Sequence, residues 1–306
     1  MWFICALLTA LGWGIADIFY KKGADPNEKY SHLKTCIFCG LVFGIHAIFT
    51  LLITKNLGYD PINIIKYAPV SLCYILSMFL VFYGIKYIED SIGSPVENSS
   101  GSITAILCFL FLKQQIKTLQ LVGIIIIAIG VISLGFIERK QSKDAEAQDK
   151  NKKKVFIGFM MAVVYSLLNA IGETLDGYYL DINNNMLSKV SEETIEIVAN
   201  TSYELLFLIF AIILFAYIKL RKGKINIKTQ GWKIGAACFE TFGQFMHVYA
   251  MSGNTIIAGP IVSSVCIVSV ILARIFLKEK LKLKQYISVF TVISGILILA
   301  LAEVVN

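Results

Sequence analysis

Apolar runs of about twenty residues recur along the whole chain, separated by short polar segments. A helix of roughly that length crosses the ~30 Å hydrocarbon core of a bilayer. The runs lack the two-residue alternation of a membrane β-barrel. The sequence therefore predicts an all-α integral membrane protein with ten transmembrane helices. The predicted spans are 2–20, 34–54, 68–88, 91–112, 119–137, 155–180, 194–218, 232–251, 254–277 and 284–303.

Composition excludes a soluble domain, because 57% of the residues are hydrophobic and only 16% are charged, against roughly a quarter charged in soluble proteins. The formal net charge is +7. Its basic residues lie in loops between apolar runs, a pattern that indicates membrane orientation and lipid contact instead of nucleic-acid binding. The first run has no basic stretch before it and no small-residue cleavage site, so we expect a retained helix.

The seven cysteines lie in or beside apolar runs. Cys36 and Cys39 form a C-x-x-C pair, but no second pair or histidine stands at the spacing of zinc ligands. We therefore expect reduced, packed thiols, and neither a metal site nor a cofactor.

The charged segment 138–154 divides the spans into two sets of five, giving predicted repeats at 1–137 and 155–306. Shifting residues 91–135 by 165 positions aligns the two sets without a gap. The matched pairs include Pro95 with Pro260, Ser99 with Ser264, Lys117 with Lys282, Gln120 with Gln285, Gly130 with Gly295 and Leu134 with Leu299. An odd number of spans inverts the second copy. Inverted repeats are typical of alternating-access carriers, whose site lies between the repeats, although duplication without transport is the alternative.

Charge predicts the orientation. If the spans alternate in direction, 23 of the 28 lysine and arginine residues lie on one side of the membrane. The positive-inside rule places that side in the cytoplasm. We therefore predict a multi-pass protein of the plasma membrane with both termini outside.

Three elements carry a family resemblance: Gly12-Trp13-Gly14 in the first span, Tyr83-Gly84 in the third, and a Pro-containing fourth span that ends in Leu112-Lys113. The last is repeated from Pro260 to Leu277-Lys278-Glu279. The chain resembles the EamA-type branch of the drug/metabolite transporter superfamily. The resemblance implies two inverted five-helix repeats, with spans 1–4 and 6–9 around a central cavity and spans 5 and 10 peripheral. It does not name the substrate.

Polar side chains recur at helical spacing within several spans and predict a shared cavity, since lipid cannot satisfy them. Glu204 and Glu240 fall near the middle of their spans. Asp17, Asp176 and Glu196 fall near span ends, where we expect solvation. The candidate substrate-binding residues are Glu204, Glu240, Tyr203, Asn169, Glu173, Glu97, Gln244, Trp13, Tyr74 and Tyr83.

Each candidate has a structural alternative. The carboxylates could form interhelical hydrogen bonds, and the aromatic rings could serve packing alone. For His46 and His247 we expect packing or hydrogen bonding instead of catalysis. Pro95 and Pro260 are expected to kink their helices.

Several carboxylates, few bases and several aromatic rings suit a cationic cargo. The first hypothesis is an alternating-access transporter of a small organic cation or amine, with Glu204 and Glu240 as counter-ions or proton acceptors. Because buried carboxylates can exchange protons, the hypothesis includes proton coupling. The alternative is an exporter of amino acids or neutral metabolites. An intramembrane enzyme or a sensor is disfavoured, because the sequence contains no catalytic or nucleotide-binding motif and no extramembrane module.

Overall fold

The structure, a computed structural model, describes residues 1–23, 28–54, 58–84, 97–145, 152–276 and 282–305. Within these ranges the chain forms helices and no strands. In chain order the helices are α1 (Trp2–Gly23), α2 (Ser31–Ile53), α3 (Ile62–Lys66), α4 (Ala68–Gly84), α5 (Ser100–Phe111), α6 (Thr118–Ala145), α7 (Lys152–Tyr179), α8 (Ile195–Leu220), α9 (Gly231–Val262), α10 (Val265–Phe276) and α11 (Leu283–Val305).

Four of the described helices are long and apolar enough to cross a membrane: Trp2–Gly23, Ser31–Ile53, Ile195–Leu220 and Leu283–Ala302. Shorter apolar helices lie between them. Large apolar side chains stay exposed on the outside of the bundle, including Phe49 at 60% and Phe290 at 72%. Soluble proteins rarely expose extended apolar surface, so the exposed faces suit contact with lipid. The all-helical, membrane-type fold is therefore confirmed.

The predicted eighth and ninth spans differ in detail from the observed helices. In α9 two helical segments meet at Asn254, which has non-helical dihedral angles of φ −164° and ψ 83°. The second segment ends at Val262, and a tight turn through Ser263 and Ser264 separates it from α10. The helix therefore breaks six residues before Pro260, where a kink was expected, and Pro260 itself lies within the second segment. Pro95 lies outside the described residues.

Helices from the first half of the chain pack mainly against helices from the second half. The pairs are α1 with α9, α2 with α8, α4 with α7, α5 with α9, and α6 with α11. Glycines permit the closest approaches. A β carbon at Gly101 in α5 would lie 2.3 Å from the carbonyl oxygen of Gly259. The Gly101 amide also donates a hydrogen bond to Ser263 Oγ, at 2.8 Å. Small residues let membrane helices approach in this way.

The α6–α11 contact is reciprocal. A β carbon at Gly130 would lie 2.4 Å from Val292, and one at Gly295 would lie 2.8 Å from Ile127. Each helix therefore places a glycine against a β-branched side chain of the other. We refer to the contact of these four residues as the glycine seam.

The two helices of the seam also begin alike. The Lys117 amide donates to Gln120 Oε1 at 2.9 Å, and the Lys282 amide donates to Gln285 Oε1 at the same distance. In both helices the glutamine side chain satisfies an amide that has no partner within the helix.

Both chain termini lie at the same end of the bundle. Trp2 packs against Gly253, where an added β carbon would lie 2.2 Å from it. Leu299, close to the end of α11, packs against Gly123, close to the start of α6.

The opposite end of the bundle is closed by a polar cluster that we call the clasp: Glu28, Lys34, Gln230 and Lys233. Glu28 lies in the connection between α1 and α2. It accepts from Lys34 Nζ at 2.7 Å, from Gln230 Nε2 at 2.8 Å and from Lys233 Nζ. Lys233 is only 2% exposed. The clasp therefore joins the starts of α2 and α9 to the connection after α1.

Candidate functional site

Two carboxylates of α7 lie in the interior, one helical turn apart. Glu173 is 0% exposed. It accepts a hydrogen bond from Asn169 Nδ2 at 3.0 Å and another from the Thr104 hydroxyl. Gly259 of α9 leaves room for it, because a β carbon there would lie 3.1 Å from Glu173 Oε2. Predicted site residues Glu173 and Asn169 are thus adjacent in the structure.

Asp176 is also fully buried, so the solvation expected for it at a helix end is wrong. Helix α4 and Tyr67, which directly precedes it, pack against this end of α7. Tyr67 and Tyr74 each donate a hydroxyl hydrogen bond to Asp176, the latter at 2.7 Å. Asp176 belongs beside Glu173 as a candidate binding carboxylate.

Rings from four helices form a connected group beside Asp176. The ring of His247 in α9 lies 5.0 Å from that of Trp13 in α1 and 5.6 Å from that of Tyr74 in α4. Tyr74 in turn lies 6.0 Å from Tyr203 in α8. Predicted residues Trp13, Tyr74 and Tyr203 are thereby connected through ring contacts. We call Trp13, Tyr74, Asp176, Tyr203 and His247 the central group.

Glu204 has a different environment from the central group. Its carboxylate is 0% exposed and lies 2.8 Å from His46 Nδ1 of α2. Two roles for Glu204 were open from the sequence, substrate binding in a cavity or an interhelical hydrogen bond, and the observed contact is the second. Glu204 therefore joins α2 to α8, and the structure gives its carboxylate a protein partner.

The remaining predicted residues lie at other levels of the bundle. Gln244 is buried in α9, one turn before His247. Glu240 is half-buried one turn before Gln244, and its carboxyl group interacts electrostatically with that of Asp17. Glu97 is half-buried just before α5. Tyr83 is at the end of α4 distant from Tyr74, with its ring 5.2 Å from that of His32.

The sequence-based selection of site residues left out Asp176, His247, Tyr67 and Thr104. Asp176 and His247 stand on the polar stripes of their spans, so a signal was present. The position of Asp176 near a span end concealed its burial. Tyr67 precedes the third predicted span, and only tertiary packing brings its hydroxyl to Asp176.

The described hydrogen bonds to Glu173 and Asp176 come from hydroxyl and amide groups, not from lysine or arginine. A buried carboxylate without a lysine or arginine partner favours a cationic ligand or a proton. Among the described residues, no group of three or more histidine, cysteine, aspartate or glutamate side chains is placed to hold a metal ion.

A cavity of about 310 Å³ opens at the end of the bundle that holds the termini. The break at Asn254 forms part of its wall, and Glu196 there accepts from Ser252 Oγ at 2.6 Å. Gln114 Oε1 accepts from the Ile256 amide at 3.2 Å, capping the helical segment beyond the break. The cavity wall reaches Gly177, the residue after Asp176.

Comparison with known proteins identifies a family, a shorter relative and a similar fold. The model of the EamA-like transporter family matches residues 1–136 and 184–301. An uncharacterized protein of Methanocaldococcus jannaschii is 30% identical over 132 residues, which are 43% of this chain and 93% of that protein. The relative is therefore less than half as long as this chain.

A solved crystal structure of a protein superposes on 98% of this chain and 96% of its own, with a TM-score of 0.69 and 12% sequence identity. At that identity the likeness concerns the fold alone. Helix α7, with Glu173 and Asp176, lies between the two segments that the family model matches. The family match therefore does not extend to these two carboxylates.

Proposed function

This chain belongs to the EamA-like transporter family, and on that basis we propose that it carries a small organic cation or amine across a membrane by alternating access. The family indicates a membrane transporter of small molecules, and the cationic cargo is our inference from the site. Coupling to protons is part of the proposal, because a carboxylate that releases a cation inside a membrane protein can take up a proton in its place.

The buried pair Glu173 and Asp176 carries the proposal. Both carboxylates are 0% exposed, and their described hydrogen bonds come from uncharged donors. A desolvated cation gains most from a carboxylate combined with aromatic faces. Tyr74 donates its hydroxyl to Asp176, and the rings of Tyr74 and Trp13 lie 5.6 and 5.0 Å from that of His247. The substrate is therefore placed against α7, with Glu240 and Gln244 further along α9.

We also propose the finer architecture: ten transmembrane helices in two inverted repeats, residues 1–137 and 155–306, joined by the charged linker 138–154 around a central cavity. Three observations support it. The reciprocal glycine seam and the matched Lys117 and Lys282 caps follow the 165-residue shift. The archaeal relative has less than half this chain's length. Both termini share one end of the bundle.

The pairing of helices supports the same architecture. When the spans are numbered one to ten, the observed pairs are 1 with 8, 3 with 6, 2 with 7, 4 with 9 and 5 with 10. In the proposed repeats, span 1 corresponds to span 6, 2 to 7, 3 to 8, 4 to 9 and 5 to 10. Exchanging corresponding spans converts the 1–8 pair into the 6–3 pair and leaves the 2–7, 4–9 and 5–10 pairs unchanged. Such a pattern is what a two-fold axis between inverted repeats produces.

Transport by the purified chain in proteoliposomes tests the proposal. We expect saturable uptake of radiolabelled small amines, reduced about tenfold or more by Glu173→Gln and by Asp176→Asn. Loss of even 1.4 kcal/mol of cation binding corresponds to a tenfold change. Glu193→Gln is the matched control, because Glu193 is exposed at the start of the α8 region.

The results separate the alternatives. Amine uptake that survives both Glu173→Gln and Asp176→Asn would contradict the proposed site. Saturable transport of amino acids or neutral metabolites, without amine uptake, would favour the exporter of those solutes instead. Melting curves of each variant show whether a loss of uptake reflects loss of the fold.

A further inference from the structure

Three polar atoms in the central group lack hydrogen-bond partners. Among the described residues, Trp13 Nε1 and both ring nitrogens of His247 are buried without a partner. His247 is 0% exposed. More than nine in ten buried polar groups in proteins are satisfied. An unsatisfied group is especially unfavourable inside a membrane protein, where water is scarce. These atoms therefore require an explanation.

The surrounding protein does not supply the partners. His247 Nδ1 lies 3.8 Å from Asp176 Oδ2, beyond hydrogen-bond distance. The two oxygens of Asp176 each already accept from a tyrosine. Trp13 packs its indole against Gly243, where a β carbon would lie 2.7 Å from Nε1. That glycine makes room for the indole but offers no acceptor side chain.

The three atoms specify the chemistry of a missing partner. Indole N–H only donates, whereas a neutral imidazole presents one donor nitrogen and one acceptor nitrogen. A hydroxyl oxygen can accept from Trp13 Nε1 and donate to the unprotonated nitrogen of His247. The ring centroids of these residues are 5.0 Å apart and the rings are tilted by 30°, so one small group can contact both residues.

We propose that the substrate is a small amino alcohol whose hydroxyl binds Trp13 and His247 while its cationic nitrogen lies against Asp176. This inference rests on the proposed function. Because Asp176 Oδ2 lies only 3.8 Å from His247 Nδ1, the substrate's hydroxyl and nitrogen must be close neighbours, separated by a short carbon link. A hydrocarbon amine of the same size leaves Trp13 Nε1 and the unprotonated nitrogen of His247 unsatisfied and binds more weakly.

Isosteric ligand pairs test this inference on the purified full-length chain. In each pair one member carries a hydroxyl where the other carries a methyl group: 2-aminoethanol with propylamine, and (2-hydroxyethyl)trimethylammonium with propyltrimethylammonium. Affinities are measured by calorimetry and by thermal stabilisation, so passive diffusion of amines has no influence. We expect the hydroxylated member of at least one pair to bind about tenfold or more tightly than its partner.

Phenylalanine substitutions locate the hydroxyl site. His247→Phe and Trp13→Phe retain an aromatic ring but remove the nitrogens, and each should lower the affinity ratio to within about threefold. His46→Gln is the control, because His46 contacts Glu204 and not the central group, and the ratio should not change. If one phenylalanine variant fails to fold, the other still reports on the site.

The outcomes distinguish the inference from the proposed function. Equal affinities within both pairs, or a ratio unaffected by His247→Phe and Trp13→Phe, would overturn the inference while leaving amine transport in place. If no member of either pair binds or is transported, the proposed function itself fails.

Discussion

Glu28 shows how one residue outside the spanning helices stabilises the clasp end of the bundle. Partial burial opposes ionisation, but hydrogen bonds from Lys233, Lys34 and Gln230 outweigh that effect and lower the pKa of the Glu28 carboxyl from 4.5 to about 2. The side chain is therefore ionised at neutral pH. Because the pKa is lower in the folded state, the stabilisation is present above pH 4.5 and is lost as the pH falls toward 2.

We predict that Glu28→Gln lowers the free energy of unfolding at pH 7 by roughly 2 kcal/mol, the typical contribution of hydrogen bonds to a charged group. Thermal melting measured from pH 7 down to pH 3 should show the difference from the unmodified chain shrinking below pH 4.5. Glu193→Gln, at an exposed position, should melt as the unmodified chain does throughout. A difference at pH 7 that persists unchanged at pH 3 would contradict the assigned role.

Single residues also show what sequence can and cannot predict about the site. Glu173 and Asn169 were identifiable because four-residue spacing places them on one helical face. Glu204 stands at the centre of its span, yet its carboxylate is hydrogen-bonded to His46 of α2 and is not part of the central group. Position along a helix predicts depth, but the partner across the helix interface is decided by tertiary packing. The hydrogen bonds from two tyrosine hydroxyls to Asp176 could not be predicted from the sequence for the same reason.

Between elements, the closest contact described for α5 and α9 depends on Gly101. We predict that Gly101→Ala lowers the stability of the folded chain by about 2 kcal/mol, because the new methyl group would overlap the Gly259 carbonyl oxygen and force the helices apart. Melting temperature measured in detergent tests this prediction.

Gly231→Ala provides the matched comparison for that substitution. Gly231 begins α9, and no atom lies within 4 Å of an added β carbon. The same chemical change should therefore leave the melting temperature unchanged or slightly higher, since alanine favours helix. Equal destabilisation by the two substitutions would show that the Gly101 contact is not tight.

At the level of helices, hydropathy predicted most of what the structure describes. Apolar length alone located α1, α2, α8 and α11. The interruption at Ser263 and Ser264 was not predictable, because neither serine changes the hydropathy of its span. The break consists of a tight turn in which the Ser264 amide donates to the Ile261 carbonyl oxygen, three residues before it.

For the whole molecule, two features together predict the orientation in the membrane: both ends of the chain lie at one end of the bundle, and most basic residues are predicted to lie at the other. We predict that epitope tags at both ends are accessible from outside intact cells, whereas linker 138–154 is cleaved by protease only in inverted vesicles. The physical reason is that 23 of the 28 lysine and arginine residues, including the linker's, lie on the clasp side of the predicted topology. Cleavage of the linker in intact cells would reverse this orientation.

The glycine seam has a consequence for ancestry. Helix α6 carries Gly130 with Ile127 three residues before it, and α11 carries Gly295 with Val292 three residues before it. Each helix therefore holds both a notch and the knob that fits the other's notch. A primordial chain with only one such helix would already be self-complementary when paired with an upside-down copy of itself. On the proposed two-repeat architecture, joining two copies in one polypeptide would preserve that fit and would let Asp176 and Glu173 arise in one half alone.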